Sequence, residues 1–394
     1  MMDIDQDVLV VGASAAGLST AEALRRKGHR GRLTLIDAEQ HHPYDRPPLS
    51  KQVLAGTWDA SRAALRNEEA LAALEADWLL GDPAEHLETA ALSVRTASGR
   101  LLSADAIVLA TGVSPHQIPG TEDMSGVHVL RTLGDPARLR QRLCPGRRLV
   151  VAGNGVLGSE VAATAAAMGV HVSLAGTAPA PMASQLGPFG SSLLAAKHEA
   201  AGVRLFGEVR IENIVSYGDG TMGVALSSGE VLPADDVVVA IGSRPGTNWL
   251  STSGLALNDG IVCDGFCRAA PNIWAVGDVA RWTHPDLGSL RLENRTNAAE
   301  QALAVASDIL GHGEPYAPIP YFWTDQHGIR IQVHGTIPFD AVLQVTDGDP
   351  MTDRFVAVAL SPDRDKTVGV LGWGMPKQTR LRRQELQKSA APVL

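Results

Sequence analysis

Two stretches of this sequence carry glycine at the spacing that a dinucleotide pyrophosphate requires. The first is GASAAG, with Gly12 and Gly17 in place and Ser14 where a middle glycine is usual. The second, GNGVLG, is complete, with Gly153, Gly155 and Gly158. A pyrophosphate is held here by main-chain N–H groups and the positive end of a helix, so the chemistry asks for small residues rather than charged ones. Gly12 permits a tight turn, and the small residues through Ala16 to Gly17 let the helix approach the phosphates. An acid at the end of the following strand then holds ribose hydroxyls. Asp37 and Glu39 both follow Gly12 by about 25 residues, and either can serve.

The flanking residues supply the elements that such turns need. DVLVVG (7–12) is a β-branched run that stops at glycine, and ASAAGLSTAEALRRKG has helical character with Leu18, Ala21 and Leu24 on one face. Gly28 and Gly31 close the unit before the strand RLTLID. The order recurs in LVVAG, an alanine-rich helix and VHVSL. Two cradles imply two dinucleotides, one handing electrons to the other. Three more apolar strands end on glycine: AIVLATG (106–112, with Thr111 and Gly112), VVVAIGSRP (237–245, with Gly242) and NIWAVGD (272–278, with Gly277 and Asp278). Such endings place N–H groups at the sheet edge where α/β folds bind ligands. Asp278 is expected to cap a helix and to hold the ribityl or pyrophosphate end of a flavin.

The remaining composition narrows the class. A chain of 394 residues, 45% hydrophobic and 20% charged, has room for two or three domains with sizeable cores. Its net charge of −9 argues against nucleic acid or an anionic membrane as partner. No apolar run approaches the ~18 residues of a membrane span, and MMDIDQD lacks the apolar core of a signal peptide. Three cysteines suit a reducing cytoplasm better than a disulfide scaffold.

After the first unit comes PYDRPPLSK (43–51), a stiff double-proline loop carrying Arg46 and ending in Lys51. Many flavin reductases deliver a redox-active cysteine pair from this part of the chain, and here there is none. Pro47 and Pro48 restrict the backbone, which favours a fixed position for Lys51.

Taken together, GASAAG, PYDRPPLSK, LATG, LRT (130–132), GNGVLGSE, AIGSRP, WAVGDVA, NAAEQA (297–302) and PYFWTDQHG (320–328) resemble the FAD-dependent ferredoxin reductases that serve Rieske dioxygenases and P450s. That group includes putidaredoxin reductase and rubredoxin reductases, with apoptosis-inducing factor a more distant relation. The resemblance runs nearly end to end. It implies an α/β protein with two Rossmann-like domains in a glutathione-reductase-like layout and a small α+β C-terminal domain. The FAD domain is split over 1–112 and 247–318, the NAD(P) domain spans 113–246, and 319–394 closes over the flavin. It further implies that Ala16, Arg46, Lys51, Ala84, Arg131, Asp278 and Arg295 line FAD. Gly153, Gly155, Gly158 and Glu160 line the nicotinamide nucleotide, and Trp323 lies at the flavin's exposed side.

A fixed ammonium at Lys51 stabilises the negative charge that a hydride brings to the flavin, by on the order of 1–4 kcal/mol at 4 Å. Glu160 then pairs with Lys51 or accepts from the nicotinamide carboxamide; the plainer alternative is an ordinary first-turn helix carboxylate. Without a dithiol, electrons leave the flavin directly to a one-electron carrier, a small iron–sulfur ferredoxin that feeds an oxygenase. Monomer and homodimer are both compatible with this reading. The rival is an NADH-responsive redox sensor with slow turnover, resembling apoptosis-inducing factor.

Several residues depart from the family pattern. After VSL the chain reads AGTAPAP, with Gly176 where an NADH-preferring relative carries an acid. No arginine follows in this loop to grip a 2′-phosphate, so NADH is the expected donor and NADPH stays open. In the first cradle the family's acid position falls on Ala38, which leaves the task to Asp37 or Glu39. Arg295, in ENR (293–295), either brings positive charge to the flavin's pyrimidine edge or is a surface arginine. Cys263 and Cys267 lack zinc-site spacing and are expected to be buried structural thiols. His41 and His42 are expected as loop residues rather than metal ligands. The basic tail PKQTRLRRQELQK is either part of a docking patch for an acidic ferredoxin or a solvated terminal helix.

Overall fold

The computed structural model describes residues 5–217, 220–364 and 366–390. The chain divides into two compact units, one made of residues 1–45, 61–114 and 243–318 and the other of 46–60, 115–242 and 319–394.

In the first unit the apolar runs that end on glycine assemble side by side. Its main sheet has the order Arg268–Ala270, Ile273–Ala275, Ala106–Leu109, Val8–Val11, Leu33–Asp37, Asp77–Leu80. Strand Val8–Val11 pairs in parallel with both Leu33–Asp37 and Ala106–Leu109, in registers Val11↔Ile36 and Val11↔Leu109. All four residues of Val8–Val11 and of Ala106–Leu109 are buried, as continuous apolar strands covered on both faces must be. Helix Ala15–Arg26 turns Leu18, Ala21 and Leu24 inward and packs on helix Arg295–Ile309, whose inner residues Ala298, Ala302 and Ala306 are equally small. A three-stranded sheet, Ala84–Glu88, Ser93–Thr96 and Leu101–Ser103, follows the last strand of this order in sequence.

The second unit repeats the plan. Its parallel sheet has the order Arg204–Phe206, His171–Ala175, Arg148–Ala152, Asp236–Val239, Val127–His128. Helix Val156–Ala167 lies against it through Val161, Ala162 and Ala165. An antiparallel three-stranded sheet, Ile211–Ser216, Met222–Leu226 and Val231–Ala234, is inserted before the strand Asp236–Val239. The same unit contains a five-stranded antiparallel sheet built from residues 321–373, with the order Tyr321–Gln326, Ile329–Gly335, Thr367–Trp373, Arg354–Leu360, Val342–Asp349. Phe355 and Trp373, both fully buried, stack there with centroids 5.8 Å apart. Helix Pro376–Ala390, formed by the basic tail, packs on strand Thr367–Trp373. Arg382 of this helix bonds to Asp347 and Leu386 is buried, so part of the tail is anchored rather than solvated.

One local expectation fails. Asp278 does not head an α-helix: Gly277–Val279 is a single 3₁₀ turn that runs directly into strand Ala280–His284, and the next α-helix begins at Arg295.

Candidate functional site

The first cradle begins where strand Val8–Val11 ends. Gly12 has φ 105°, and a Cβ on it would lie 2.3 Å from the Ala110 carbonyl oxygen. A Cβ on Gly17 would lie 1.9 Å from the Gly12 oxygen, so glycine at both ends sets how closely helix and turn approach. Ser14 is the N-cap residue, yet its side chain makes no capping bond, and no acid stands in the first turn. The positive end of the helix is therefore not neutralised by a capping side chain or a first-turn acid of its own. Two other helices close theirs with a side chain, Asn67 capping Ala70 and Asn294 capping Asn297, whereas helices Asp135–Arg142 and Ala183–Ala200 also lack a side-chain cap. The two acids after this turn have separate uses. Asp37 accepts from the backbone N–H of Ala13 at 2.5 Å and of Glu39 at 2.8 Å, and so braces the turn itself. Glu39 is held by the Tyr44 hydroxyl at 2.6 Å.

The second cradle is the same turn built again. Gly153 has φ 113°, with a Cβ position 2.1 Å from the Ala240 oxygen, and that of Gly158 lies 1.8 Å from the Gly153 oxygen. Gly155, by contrast, has open space around its Cβ position. Among the described residues none would meet a side chain there, so the turn is open on that side. Helix Val156–Ala167 also starts with neither a capping side chain nor an acid in its first turn. Gly176 ends the adjoining strand, and its Cβ position lies 2.1 Å from Asn154 Oδ1.

Glu160, two residues after Gly158, is 6% exposed and carries three hydrogen bonds. Its Oε2 accepts from Lys51 Nζ at 2.7 Å and from Ser50 Oγ at 2.5 Å, while Oε1 accepts from Thr324 Oγ1 at 2.7 Å. Lys51 is brought there by the 3₁₀ turn Pro47–Ser50, in which the two prolines fix the backbone and the Pro48 carbonyl accepts from Lys51 and Val53. The loop is pinned further by Leu54, fully buried beside Leu139 and Val161, and by Thr164 Oγ1, which donates to the Ser50 carbonyl at 2.8 Å. A buried ion pair is tolerable only when its remaining lone pairs are met, and the two hydroxyls meet them. The result is an ammonium paired with a carboxylate whose two oxygens are both hydrogen-bonded. Ser50 and Thr324 were not among the expected site residues. Both sit in the motifs PPLSK and FWTDQ, but a hydroxyl is too common a group to stand out by type.

The other expected site residues are spread over both units. Arg46 Nε donates to the Arg131 carbonyl at 3.3 Å, and the Arg131 N–H is taken by Asp135. Thr111 Oγ1 donates to the Gly246 carbonyl, and Gly112 has φ 63°. Gly277 donates its N–H to Gln301, and the Gly277 Cβ position lies 2.8 Å from Ala16 Cβ, which brings these two expected cofactor-binding positions together. Arg295 is 24% exposed and ion-paired with Asp45 at 3.1 Å. Ala84 opens strand Ala84–Glu88, and the Gly242 carbonyl accepts from the N–H of His116. Trp323 is half-buried and stacks on Tyr321 with centroids 6.0 Å apart. Cys263 and Cys267 are buried, and burial pushes both thiols up, Cys267 to about 12, which makes them poor nucleophiles. His41 is exposed and His42 meets Trp78 edge to face. Among the described residues no group of three potential metal ligands gathers, and no helix is long and apolar enough to cross a membrane.

Two phosphate cradles with open helix ends, one chain, and a buried lysine–glutamate pair define a nucleotide-dependent oxidoreductase. A sequence profile of the pyridine nucleotide-disulphide oxidoreductases matches residues 6–302. The chain is 33% identical to the probable ferredoxin reductase CtmF of Castellaniella defragrans, over 98% of this chain and 96% of that protein. It is 36% identical to the ferredoxin–NAD(+) reductase subunit of the benzene 1,2-dioxygenase system of Pseudomonas putida, over 86% and 84% respectively. Putidaredoxin reductase, in the crystal structure of its covalent complex with putidaredoxin, superposes with a TM-score of 0.91 at 31% identity, covering 98% of this chain and 93% of that one. The chain belongs to the pyridine nucleotide-disulphide oxidoreductase family, among its ferredoxin reductases.

Proposed function

We propose that the protein is an NADH-dependent flavoprotein reductase that passes electrons to a small iron–sulfur ferredoxin. The observation that carries this reading is the pair of glycine turns, each leading from a parallel strand into a helix with neither a capping side chain nor an acid in its first turn. Relatives named as ferredoxin–NAD(+) reductases of dioxygenase systems supply the donor and acceptor classes. The first cradle, with Gly12, Ser14, Ala16, Gly17 and Glu39, is assigned to FAD, together with Arg46, Lys51, Ala84, Thr111, Gly112, Arg131, Gly242, Gly277, Asp278 and Arg295. Asp37 serves that site by bracing the turn. The second, with Gly153, Gly155, Gly158 and Glu160, is assigned to NADH. In domain terms 1–112 with 247–318 is the FAD module, 113–246 the NADH module, and 319–394 a third module carrying Trp323. A bound FAD would supply the chemistry that accepts a hydride and releases two electrons one at a time.

The protein's own groups orient and balance charge. The two glycine turns hold pyrophosphates on N–H groups. Lys51 offers a fixed positive charge against the negative charge that reduction brings. Glu160 keeps that ammonium in place and is itself oriented by Ser50 and Thr324. Trp323 limits water where electrons leave. The ferredoxin is proposed to feed an oxygenase, and the three free thiols suit a reducing cytoplasm. The test is anaerobic rapid mixing of the purified flavoprotein with NADH and with NADPH, followed by cytochrome c reduction with and without an added ferredoxin. Flavin bleaching by NADH, and cytochrome c reduction that depends on the ferredoxin, are expected. A colourless polypeptide that takes up no FAD refutes the assignment.

A further inference from the structure

The adenosine end of the second cradle has no charged group where its strand stops. Gly176 occupies that place, and no side chain fits there while Asn154 Oδ1 lies 2.1 Å from the Cβ position. From Gly176 to Ala196 the chain contains no Asp, Glu, Lys or Arg. A ribose of NADH left there with no acceptor loses hydrogen bonds that water would have made.

The neighbouring strand offers the missing charge. Arg204–Phe206 lies beside His171–Ala175 in parallel, with Ala175 opposite Phe206, so both strands present their C-terminal ends at the same edge of the sheet. In such sheets that edge is where nucleotides bind. The chain beyond Phe206 stays in contact with the segment after Ala175: the N–H of Glu208 donates to the Ala178 carbonyl at 3.2 Å and that of Val209 to the Gly176 carbonyl at 3.0 Å. Glu208 is exposed and its carboxylate has no partner among the described residues. It also holds a left-handed backbone, φ 57°, which suits glycine better than glutamate. Of the cations near it in sequence, Arg204 pairs with Glu230 and lies over Phe206, while Arg210 is exposed two residues further on.

We propose that Glu208 reads the adenosine ribose of NADH, accepting from its hydroxyls in place of the acid that position 176 lacks and repelling the 2′-phosphate of NADPH. This rests on the assignment of residues 153–158 to NADH. It moves the nucleotide-specifying carboxylate from the end of one strand to the loop after its neighbour.

The experiment compares wild type, Glu208→Gln, Glu208→Gly and Arg210→Ala as purified flavoproteins. ADP-ribose binding is measured by isothermal titration, and steady-state kinetics are run with NADH, NADPH and reduced nicotinamide mononucleotide. Both Glu208 variants are expected to bind ADP-ribose about tenfold more weakly, the factor that corresponds to ~1.4 kcal/mol. They should raise KM for NADH by a similar factor with kcat unchanged and leave the mononucleotide, which has no adenosine, unaffected. The glycine variant relieves the backbone, so a loss there comes from the missing carboxylate. Unchanged ADP-ribose affinity in both variants overturns the proposal. So does a wild type that prefers NADPH and loses that preference in Arg210→Ala. A wild-type flavin that neither nucleotide reduces removes the NADH site itself, an outcome visible before any variant is compared.

Discussion

The two cradles share a backbone and differ in what surrounds it. Gly12 and Gly153 have φ of 105° and 113°, and each is closed by the carbonyl of the residue that follows a parallel strand, Ala110 in one and Ala240 in the other. Gly12 donates to Ile36 and Gly153 to Ala175, which makes Asp37 and Gly176 equivalent positions. In the first cradle the strand sends a carboxylate back to the turn, where it accepts from Ala13. In the second the turn sends an amide toward the strand, for Asn154 Nδ2 donates to the Ala178 carbonyl and its Oδ1 fills the space beside Gly176. Either device ties turn to strand. They leave different chemistry at the ribose end and, two residues after the last glycine, Ser19 in one helix and Glu160 in the other. A phosphate cradle is thus fixed by main-chain geometry, whereas the choice and use of the nucleotide is written in the few side chains around it.

The largest effects should follow from filling the shared geometry. Gly17→Val and Gly158→Val each place a Cβ within 2 Å of a backbone oxygen, at 1.9 and 1.8 Å. Overlap of that depth exceeds the roughly 1–3 kcal/mol of ordinary overpacking. If the cradles are divided as proposed, Gly17→Val yields a chain that retains no flavin by absorbance. Gly158→Val keeps its colour and loses NADH-driven bleaching by about a hundredfold or more in apparent affinity, a loss of ~2.7 kcal/mol. Equal flavin loss in both would break the comparison.

Next comes the carboxylate that only the second helix carries. Lys51→Met leaves Glu160 buried without its cation, at a cost of about 3–5 kcal/mol in stability. The rate of flavin reduction should fall by roughly 10–100-fold, as removal of a ~1–3 kcal/mol electrostatic contribution requires. Lys51→Met with Glu160→Gln restores melting temperature and not rate. Recovery of both would reduce the pair to a structural device.

Much of this plan was visible in the sequence, for a physical reason. Strands buried on both faces are unbroken apolar runs, and glycine ends them where the chain must turn beneath a ligand, so LVVG, IVLATG and LVVAG mark their own boundaries. The partnership of Lys51 and Glu160, 109 residues apart, has no periodicity to betray it and came from resemblance alone. Two acids after the first cradle look alike as letters, and only geometry shows Asp37 spent on N–H groups. Asn154 occupies the free position of the glycine motif, where any residue is allowed, so its reach to Ala178 had no sequence signal. Asp278 misled because a 3₁₀ turn and a helix start share the same Gly-Asp opening.

Exchanging the device at the ribose end should produce a coupled, intermediate effect. Gly176→Glu alone forces its Cβ onto Asn154 Oδ1 and should lower the melting temperature by several degrees, as ~1–3 kcal/mol of overpacking does in a domain of this size. Asn154→Gly alone loses the bond to Ala178, worth about 0.5–1.5 kcal/mol. Together they should recover part of the stability, because the smaller residue removes the Asn154 side chain while its backbone nitrogen, 2.7 Å from the Cβ position, remains. The double variant should then bind ADP-ribose more tightly than wild type. Additive losses, measured as a double-mutant cycle in denaturant, would show that the two positions do not trade places as the geometry requires.

The smallest expected effects sit on the hydroxyls that orient Glu160. Ser50→Ala and Thr324→Val each remove one hydrogen bond to a buried carboxylate, worth about 1.5–3 kcal/mol for a charged acceptor, and valine keeps the shape of threonine. Neither removes a charge, so Lys51 keeps its counter-ion. Flavin reduction is expected to slow by less than about tenfold in each, well short of Lys51→Met. The two oxygens are not equivalent. Oε2 still accepts from Lys51 when Ser50 is lost, whereas Oε1 accepts from Thr324 at 2.7 Å, and the valine variant should therefore cost more stability than the alanine one. Measured by denaturant unfolding, the reverse order would mean that the carboxylate is held chiefly from the loop of residues 46–60, and that the five-stranded sheet contributes little to the feature by which the second cradle differs from the first.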